Sequence, residues 1–204
     1  MSDLETEFGA IDIYLFDQLL RRRITPQDRV VDVGCGFGRN LVYLLRAGYD
    51  VFAIDPDADA VAEVRALAAR LAPGLAPSHF RVEPVERSTL PEAFASVVLS
   101  SAVLHFARDD AEFDAMLAGT WRLIAPGGLF FCRLASTIGM ESQVRRIDGT
   151  TRRFLLPDGT ARYLVDQALL TARTHEMGGQ LLDPIKTTVV QDQRSMTTWV
   201  VRKS

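Results

Sequence analysis

Apolar and polar positions change their period several times along the chain, and each change marks a predicted element. Over residues 4–23, Leu4, Phe8, Ile11, Leu15 and Leu19 recur at helical spacing, which predicts one helix capping the main body. The Thr25-Pro26 turn follows it. Arg29–Val33 is a short apolar run closed by glycines, as expected of a buried strand. Arg39–Ala47 reads as a helix stopped by Gly48, and Asp50–Ile54 as a second buried strand. Asp57–Leu71 is an Ala-rich helix with Asp57 near its start and Pro73-Gly74 at its end. His79–Val85 predicts a third strand, weakened by Pro84. Ser96–Ser101 predicts a fourth. Asp109–Ile124 predicts a helix halted by Pro126-Gly127-Gly128, and Leu129–Leu134 a fifth strand. This alternation predicts an α/β fold, a parallel sheet covered by helices on both faces.

After residue 134 the pattern changes. Residues 138–160 carry turn signals at Asp148-Gly149 and Pro157-Asp158-Gly159, with Arg145, Arg146, Arg152 and Arg153 between them. They read as a segment inserted over the carboxyl edge of the sheet, a candidate lid. Tyr163–Met177 reads as a helix ended by Gly178-Gly179. Lys186–Val190 and Ser195–Arg202 are β-rich runs joined by Gln191-Asp192-Gln193, a terminal hairpin whose last strand is expected to be antiparallel. The expected organisation is one domain over 1–204, with 1–24 as an N-terminal cap.

Composition narrows the classes. At 204 residues, 48% hydrophobic and 24% charged, the chain fits one domain with a large core and needs no disulfide or metal to fold. The formal charge of −3 makes it a poor candidate for gripping nucleic acid by bulk charge. No run reaches the roughly 18 apolar residues of a membrane span. The first 23 residues are acidic where a signal peptide would be basic, so a cytoplasmic protein is expected. Cys35 and Cys132 lack metal spacing and make a poor disulfide framework, so both read as reduced thiols. Cys35 has a second reading, as a redox-sensitive thiol lining a site. No cluster of His, Cys and Asp has ligand spacing, so no metal is expected.

The strongest chemical signal is Val31-Asp32-Val33-Gly34-Cys35-Gly36-Phe37-Gly38-Arg39-Asn40, placed after a strand and opening a helix. Glycines there let the backbone turn sharply and let a ligand approach without a Cβ clash. Helix N-termini add free N–H donors. About twenty residues on, Asp55 ends the second strand, where an acid can accept both hydroxyls of a ribose. The dinucleotide pattern Gly-x-Gly-x-x-Gly fails: counted from Gly34 its last position is Arg39, and counted from Gly36 it is Leu41.

Asp-x-Gly-x-Gly-x-Gly resembles motif I of the class I methyltransferases that use S-adenosylmethionine. Thr89-Leu90-Pro91 resembles that family's Leu-Pro after the third strand. Ser100-Ser101-Ala102-Val103-Leu104-His105 resembles its fourth motif, and Arg122-Leu-Ile-Ala-Pro126-Gly127-Gly128 its Arg-x-Leu-x-Pro-Gly-Gly signature. Phe94-Ala95 departs from the usual Phe-Asp. The resemblance covers roughly 28–135, and within the family it is nearest to small-molecule enzymes, including the tellurite-resistance type. It implies a Rossmann-like seven-stranded, mostly parallel sheet with an antiparallel C-terminal strand, and S-adenosylmethionine as cofactor with S-adenosylhomocysteine as product. It implies cofactor contacts from Asp32, Gly34, Cys35, Gly36, Gly38, Asn40, Asp55, Pro56, Glu86, Arg87 and Ser100. Glu86 matches by spacing the acid that meets the adenine amino group, with Glu83 the weaker match.

Candidate acceptor residues are few. His105 ends the fourth strand, where open α/β sheets bind ligands, and its ordinary pKa suits a general base. Its other reading is packing on the cofactor or capping the next helix. Tyr14, with Phe16, either lines an acceptor pocket or packs in the core. Arg145 and Arg153 meet an anionic acceptor or form a solvated face. Arg133, a charge on an apolar strand, needs a partner. His79 and His175 read as surface residues without partners. The expected function is methyl transfer to a small molecule by a monomer or homodimer without nucleic-acid or membrane partners. The alternatives are a binding module without turnover and a nucleic-acid methyltransferase, although the chain lacks an Asn/Asp-Pro-Pro-Tyr motif after strand four.

Overall fold

The computed structural model describes residues 3–149 and 151–204; Met1 and Ser2 of the expected cap and Thr150 of the expected insertion lie outside the described residues. The N-terminal segment is two helices, α1 (Leu4–Phe8) and α2 (Ile13–Leu20), rather than one over 4–23. Gly9, with a left-handed φ of 59°, ends α1. Asp12 caps α2 by accepting the Tyr14 N–H at 2.9 Å. The apolar spacing runs through this break, which hides it from periodicity.

The alternating part follows as β1 (Arg29–Val33), α3 (Val42–Arg46), β2 (Asp50–Asp55), α4 (Ala58–Leu71), β3 (Phe80–Val82), β4 (Ala95–Ser101), α5 (Asp110–Leu123) and β5 (Ile124–Ala135). Helix α3 is shorter than the expected 39–47 because the glycine turn extends to residue 41. Strand β3 is shorter than 79–85. Tight 3₁₀ turns at Pro77–His79 and Val85–Arg87 bracket it, and Pro84 has no amide to give a neighbouring strand. Strand β5 is longer than 129–134: Ile124 already pairs with Ala95, and the register then shifts across Pro126-Gly127-Gly128 to Val97↔Leu129.

Strands β6 (Arg145–Arg146), β7 (Arg153–Leu155) and β8 (Ala161–Tyr163) form a separate three-stranded antiparallel sheet. The helix expected from Tyr163 begins later, as α6 (Gln167–Glu176), where Asp166 accepts the Leu169 N–H at 2.7 Å. Tyr163 instead ends β8 and stacks on Phe113 (4.6 Å between centroids). A short strand β9 (Gly179–Leu181), absent from the sequence expectation, precedes the hairpin β10 (Lys186–Val190) and β11 (Arg194–Lys203).

The main sheet runs β10-β11-β5-β4-β1-β2-β3, with β9 also on β11. The pairs β1–β2, β2–β3, β1–β4 and β4–β5 are parallel, and β11 is antiparallel to β5 and β10, as expected. The chain builds β1, β2 and β3 outward on one side, then returns to lay β4 on the other side of β1. That reversal opens a crevice between the carboxyl ends of β1 and β4, the place where open α/β sheets take ligands.

Strand side chains alternate between two buried layers. Val31, Val33, Phe52, Ile54 and Val98 pack toward α5 and α6; Val30, Val51, Ala53, Val97 and Leu99 pack toward α2, α3 and α4. Each large side chain so buried contributes about 1.5–3 kcal/mol. Arg122 of the Arg-x-Leu-x-Pro-Gly-Gly run donates to the carbonyls of Leu90 (2.8 Å) and Ser88 (2.9 Å), fastening the loop after β3 to the end of α5. No helix among the described residues is long and apolar enough to cross a membrane.

Candidate active site

A cavity of about 580 Å³ occupies the crevice between β1 and β4. The turn after β1 forms its floor. Gly34, Gly36 and Gly38 have φ of 66°, 50° and 78°, a region that side-chain-bearing residues rarely enter. At Gly34 a Cβ would also stand 2.5 Å from Val103, so this glycine locks the β1 turn against the β4 turn. The opposite wall is the 3₁₀ turn bearing Glu86. It is set by Gly119 of α5, where a Cβ would lie 2.6 Å from the Val85 carbonyl oxygen. Phe37 and Phe106 stand at this cavity largely exposed, at 70% and 58%.

Asp55 accepts the Gly36 N–H at 2.9 Å and the Asp57 N–H at 2.9 Å, so it both shapes the glycine turn and faces the cavity. A carboxylate has about four lone-pair positions, and two remain for a ligand's hydroxyls. Asp32 lies under the turn at 2% exposure, and its carboxylate makes no hydrogen bond among the described residues. Burial pushes its pKa to about 7; Arg39 pulls it back and Asp55 adds to the rise. Such a carboxylate favours a cation close by. The left-handed glycine turn, the partly free Asp55 and the unpartnered Asp32 fit a ligand that brings a ribose and positive charge together, as S-adenosylmethionine does.

A second cavity of about 320 Å³ adjoins the first, sharing Arg39, Ala102 and Phe106 with it. Here the walls are side chains from distant elements: His105 after β4, Arg133 on β5, Leu156 to Arg162 on the β7–β8 hairpin, and Val190, Arg194 and Met196 on the β10–β11 hairpin. Arg133 donates to Asp12 Oδ2 at 2.9 Å, and Arg39 lies 3.6 Å from the same oxygen. The Asp12 side chain is fully buried, and its N–H donates to Asn40 Oδ1 at 3.0 Å. One carboxylate at the start of α2 therefore orients two guanidiniums at the junction of the cavities. Nothing in the sequence signals this, because Asp12 falls inside the single helix expected over 4–23.

His105 is 6% exposed, and its Nδ1 accepts the Ala135 N–H at 3.1 Å. Burial, with Arg162 and Arg194 nearby, lowers its pKa to about 4. Near neutral pH the ring is uncharged with its hydrogen on Nε2, so it presents a donor and has no free lone pair for a general base. Burial also pushes the thiols of Cys35 and Cys132 far above their ordinary range, which leaves both inert as nucleophiles.

Of the cofactor residues expected from sequence, Gly34, Cys35, Gly36, Asn40, Asp55, Pro56 and Glu86 line the first cavity. Gly38 sits behind it, closely packed on α4, and Arg87 lies on the Glu86 turn without lining the cavity. Glu83 lines the wall, but its carboxylate is engaged by Ser88 and Thr89. Ser100 is corrected to Ser101: strand alternation turns Ser100 into the core beside Cys132, without a hydrogen bond, and turns Ser101 to the cavity, where it accepts from Arg39 at 3.0 Å. Tyr14 lines neither cavity; it bonds Thr188 (2.6 Å) and lies under Arg133. Arg145 and Arg153 line neither, being held in the small sheet opposite Leu155 and Tyr163. Arg162 and Arg194 stand at the second cavity in their place. His79 is not without partners: it stacks on Phe52 at 3.9 Å and contacts the Val51 carbonyl.

Residues 31–132 match the model of a methyltransferase-domain family. Among solved structures, the chain resembles 1,6-didemethyltoxoflavin-N1-methyltransferase from Burkholderia thailandensis, with bound 1,6-didemethyltoxoflavin and S-adenosylhomocysteine, at 21% identity, TM-score 0.70, and coverage of 99% of this chain and 81% of that one. It resembles magnesium protoporphyrin IX methyltransferase from Synechocystis PCC 6803, bound to S-adenosylmethionine, with 18% identity, TM-score 0.69, and coverage of 94% and 77%. A SAM-dependent methyltransferase from Methanosarcina mazei matches with 17% identity, TM-score 0.70, and coverage of 91% and 96%. No curated protein matches the chain.

Proposed function

Because the chain belongs to the methyltransferase-domain family, we propose that it transfers a methyl group from S-adenosylmethionine to a small molecule held in the second cavity. The observation that carries this reading is the junction of the cavities. A ligand filling the glycine-turn cavity meets a ligand filling the second one at Arg39, Ala102 and Phe106. When bound, S-adenosylmethionine supplies a methyl group on a sulfonium that is its own leaving group.

The chain's own residues position and desolvate. Gly34 and Gly36 give backbone access, Asp55 accepts from the ribose hydroxyls, and Glu86 takes the adenine amino group. Asp32 offsets the cofactor's positive charge beneath the turn. Phe37 and Phe106 cover the ligands and exclude water, so that alignment of donor and acceptor supplies the rate. His105 holds the acceptor by donating from Nε2 rather than by removing a proton. The second cavity, at about 320 Å³, suits an acceptor of small-molecule size.

Calorimetry with S-adenosylmethionine and S-adenosylhomocysteine tests the reading. The parent is expected to bind both, and Asp55→Ala to bind weakly. No binding by the parent overturns the function, and equal binding by the variant overturns the ribose role. Transfer of label from S-adenosylmethionine across a panel of oxyanions, thiols, amines and phenols then identifies the acceptor.

A further inference from the structure

We propose that the second cavity selects an acceptor carrying a carboxylate on a compact apolar body, with Arg162 and Arg194 as the specificity-determining cations. This inference rests on the methyl-transfer reading above and names its substrate class. Four guanidiniums (Arg39, Arg133, Arg162 and Arg194) line the cavity, and two carboxylates answer them. Asp12 is shared between Arg39 and Arg133. Asp158 is drawn first into its own turn, accepting the Thr160 hydroxyl at 2.6 Å and its N–H at 2.9 Å. The cavity is thus left with an excess of positive charge in a protein whose formal charge is −3.

The two outer arginines are free to take a ligand. Neither Arg162 nor Arg194 forms an ion pair among the described residues within 4.0 Å. Arg162 donates to the Ala161 carbonyl and lies 4.9 Å over the Phe106 ring, which holds its plane at the junction of the cavities. The Arg194 side chain makes no hydrogen bond among the described residues; the turn before it, with Gln191 and Asp192 at φ of 48° and 52°, aims it at the cavity rim. An uncharged His105 adds one donor at the base. A set in which four planar donor forks and a single N–H face one partly engaged carboxylate, that of Asp158, matches a carboxylate better than an amine or a neutral alcohol. Most of the remaining lining is apolar, with Phe106, Leu156, Val190 and Met196 as its large side chains. That surface suits an aryl or alkyl body and disfavours a bare inorganic ion.

The test uses the full chain saturated with S-adenosylhomocysteine. Its binding to benzoate, phenylacetate, hexanoate, the corresponding amides and inorganic phosphate is measured by calorimetry and thermal shift. At least one carboxylate is expected to bind tenfold or more tighter than its amide and than phosphate. Arg194→Gln and Arg162→Gln are each expected to weaken that carboxylate by tenfold or more while S-adenosylhomocysteine affinity stays within twofold. Arg194 is exposed and unbonded, so its variant keeps the fold. The proposal is overturned if no carboxylate binds the loaded protein, if amides bind equally well, if phosphate binds as tightly, or if both variants bind like the parent. Failure to bind S-adenosylhomocysteine would instead overturn the methyl-transfer reading.

Discussion

The two adjoining cavities are made in opposite ways. The first is built from main chain: three glycines in left-handed geometry, a 3₁₀ turn, and two aspartates at strand ends, most of it within one β1–α3–β2 unit. The second is built from side chains that meet only in the folded protein, carried on a β5 position and the tips of two hairpins. Backbone cradles tolerate almost no change, because each position is fixed by dihedral angle or close approach. Side-chain walls tolerate change readily, because an exposed arginine on a turn holds nothing else in place. A cofactor common to many reactions suits the first construction, and an acceptor particular to one reaction suits the second.

The largest break in this contrast is expected at Gly34. Gly34→Val combines an unfavourable φ with a Cβ 2.5 Å from Val103 and is expected to cost roughly 5 kcal/mol, seen as a collapsed melting temperature and lost cofactor binding. Preserved melting and binding would show that the turn is not locked.

Next comes pH, where the buried groups of the two cavities oppose each other. Folded Asp32 keeps a proton up to about pH 7 that its unfolded form releases near pH 4, so its contribution to stability falls as pH rises between those values. Folded His105 releases its proton near pH 4, whereas unfolded histidine holds it to about 6.5, so its contribution rises with pH over that window and is lost as pH falls through 4. The two slopes offset each other between pH 4 and 6.5. Asp32→Asn is expected to add a rising slope relative to the parent and His105→Gln a falling one, each amounting to about 3 kcal/mol across the window by denaturant unfolding. Parallel curves for parent and variants would refute both assignments. Asp32→Asn is also expected to be the more stable protein at pH 8 and the weaker cofactor binder.

Asp55→Ala is expected to lower S-adenosylhomocysteine affinity about 100-fold, near 2.7 kcal/mol, because it removes a ligand acceptor and frees the Gly36 N–H. The smallest effect is Ser100→Ala. It removes a buried hydroxyl with no hydrogen bond, so stability is expected to change by less than about 0.5 kcal/mol and cofactor affinity not at all. A tenfold loss of affinity would restore Ser100 to the binding site.

What could be read from the chain follows the same division. The glycine turn, Asp55 and the parallel strands are local in sequence and carry fixed spacings, so they were legible. The offset between Ser100 and Ser101 was not, because a motif locates the end of a strand while the pleat decides which neighbour faces the ligand. Arg145 and Arg153 stand out in the sequence only by their place within an arginine-rich stretch. Pairing in the small sheet carried them away from the cavity and brought Arg162 to it, a matter of hairpin register that composition does not encode. His105 was found by place, but its role depended on one amide, Ala135 N–H, thirty residues away.

Asp12 has a consequence for how the protein is made. Its bond to Arg133 spans 121 residues, and the neighbouring Tyr14–Thr188 bond spans 174. Synthesis runs from residue 12 toward residue 188, so the N-terminal helices leave the ribosome first and gain these two contacts only late. Until the β10–β11 hairpin is available, the β1–β4 units can assemble with their carboxyl edge unclosed. The acceptor chamber is therefore among the final parts of the molecule to become functional, and a nascent chain halted before Thr188 would hold a nearly complete cofactor cradle without a finished place for its acceptor.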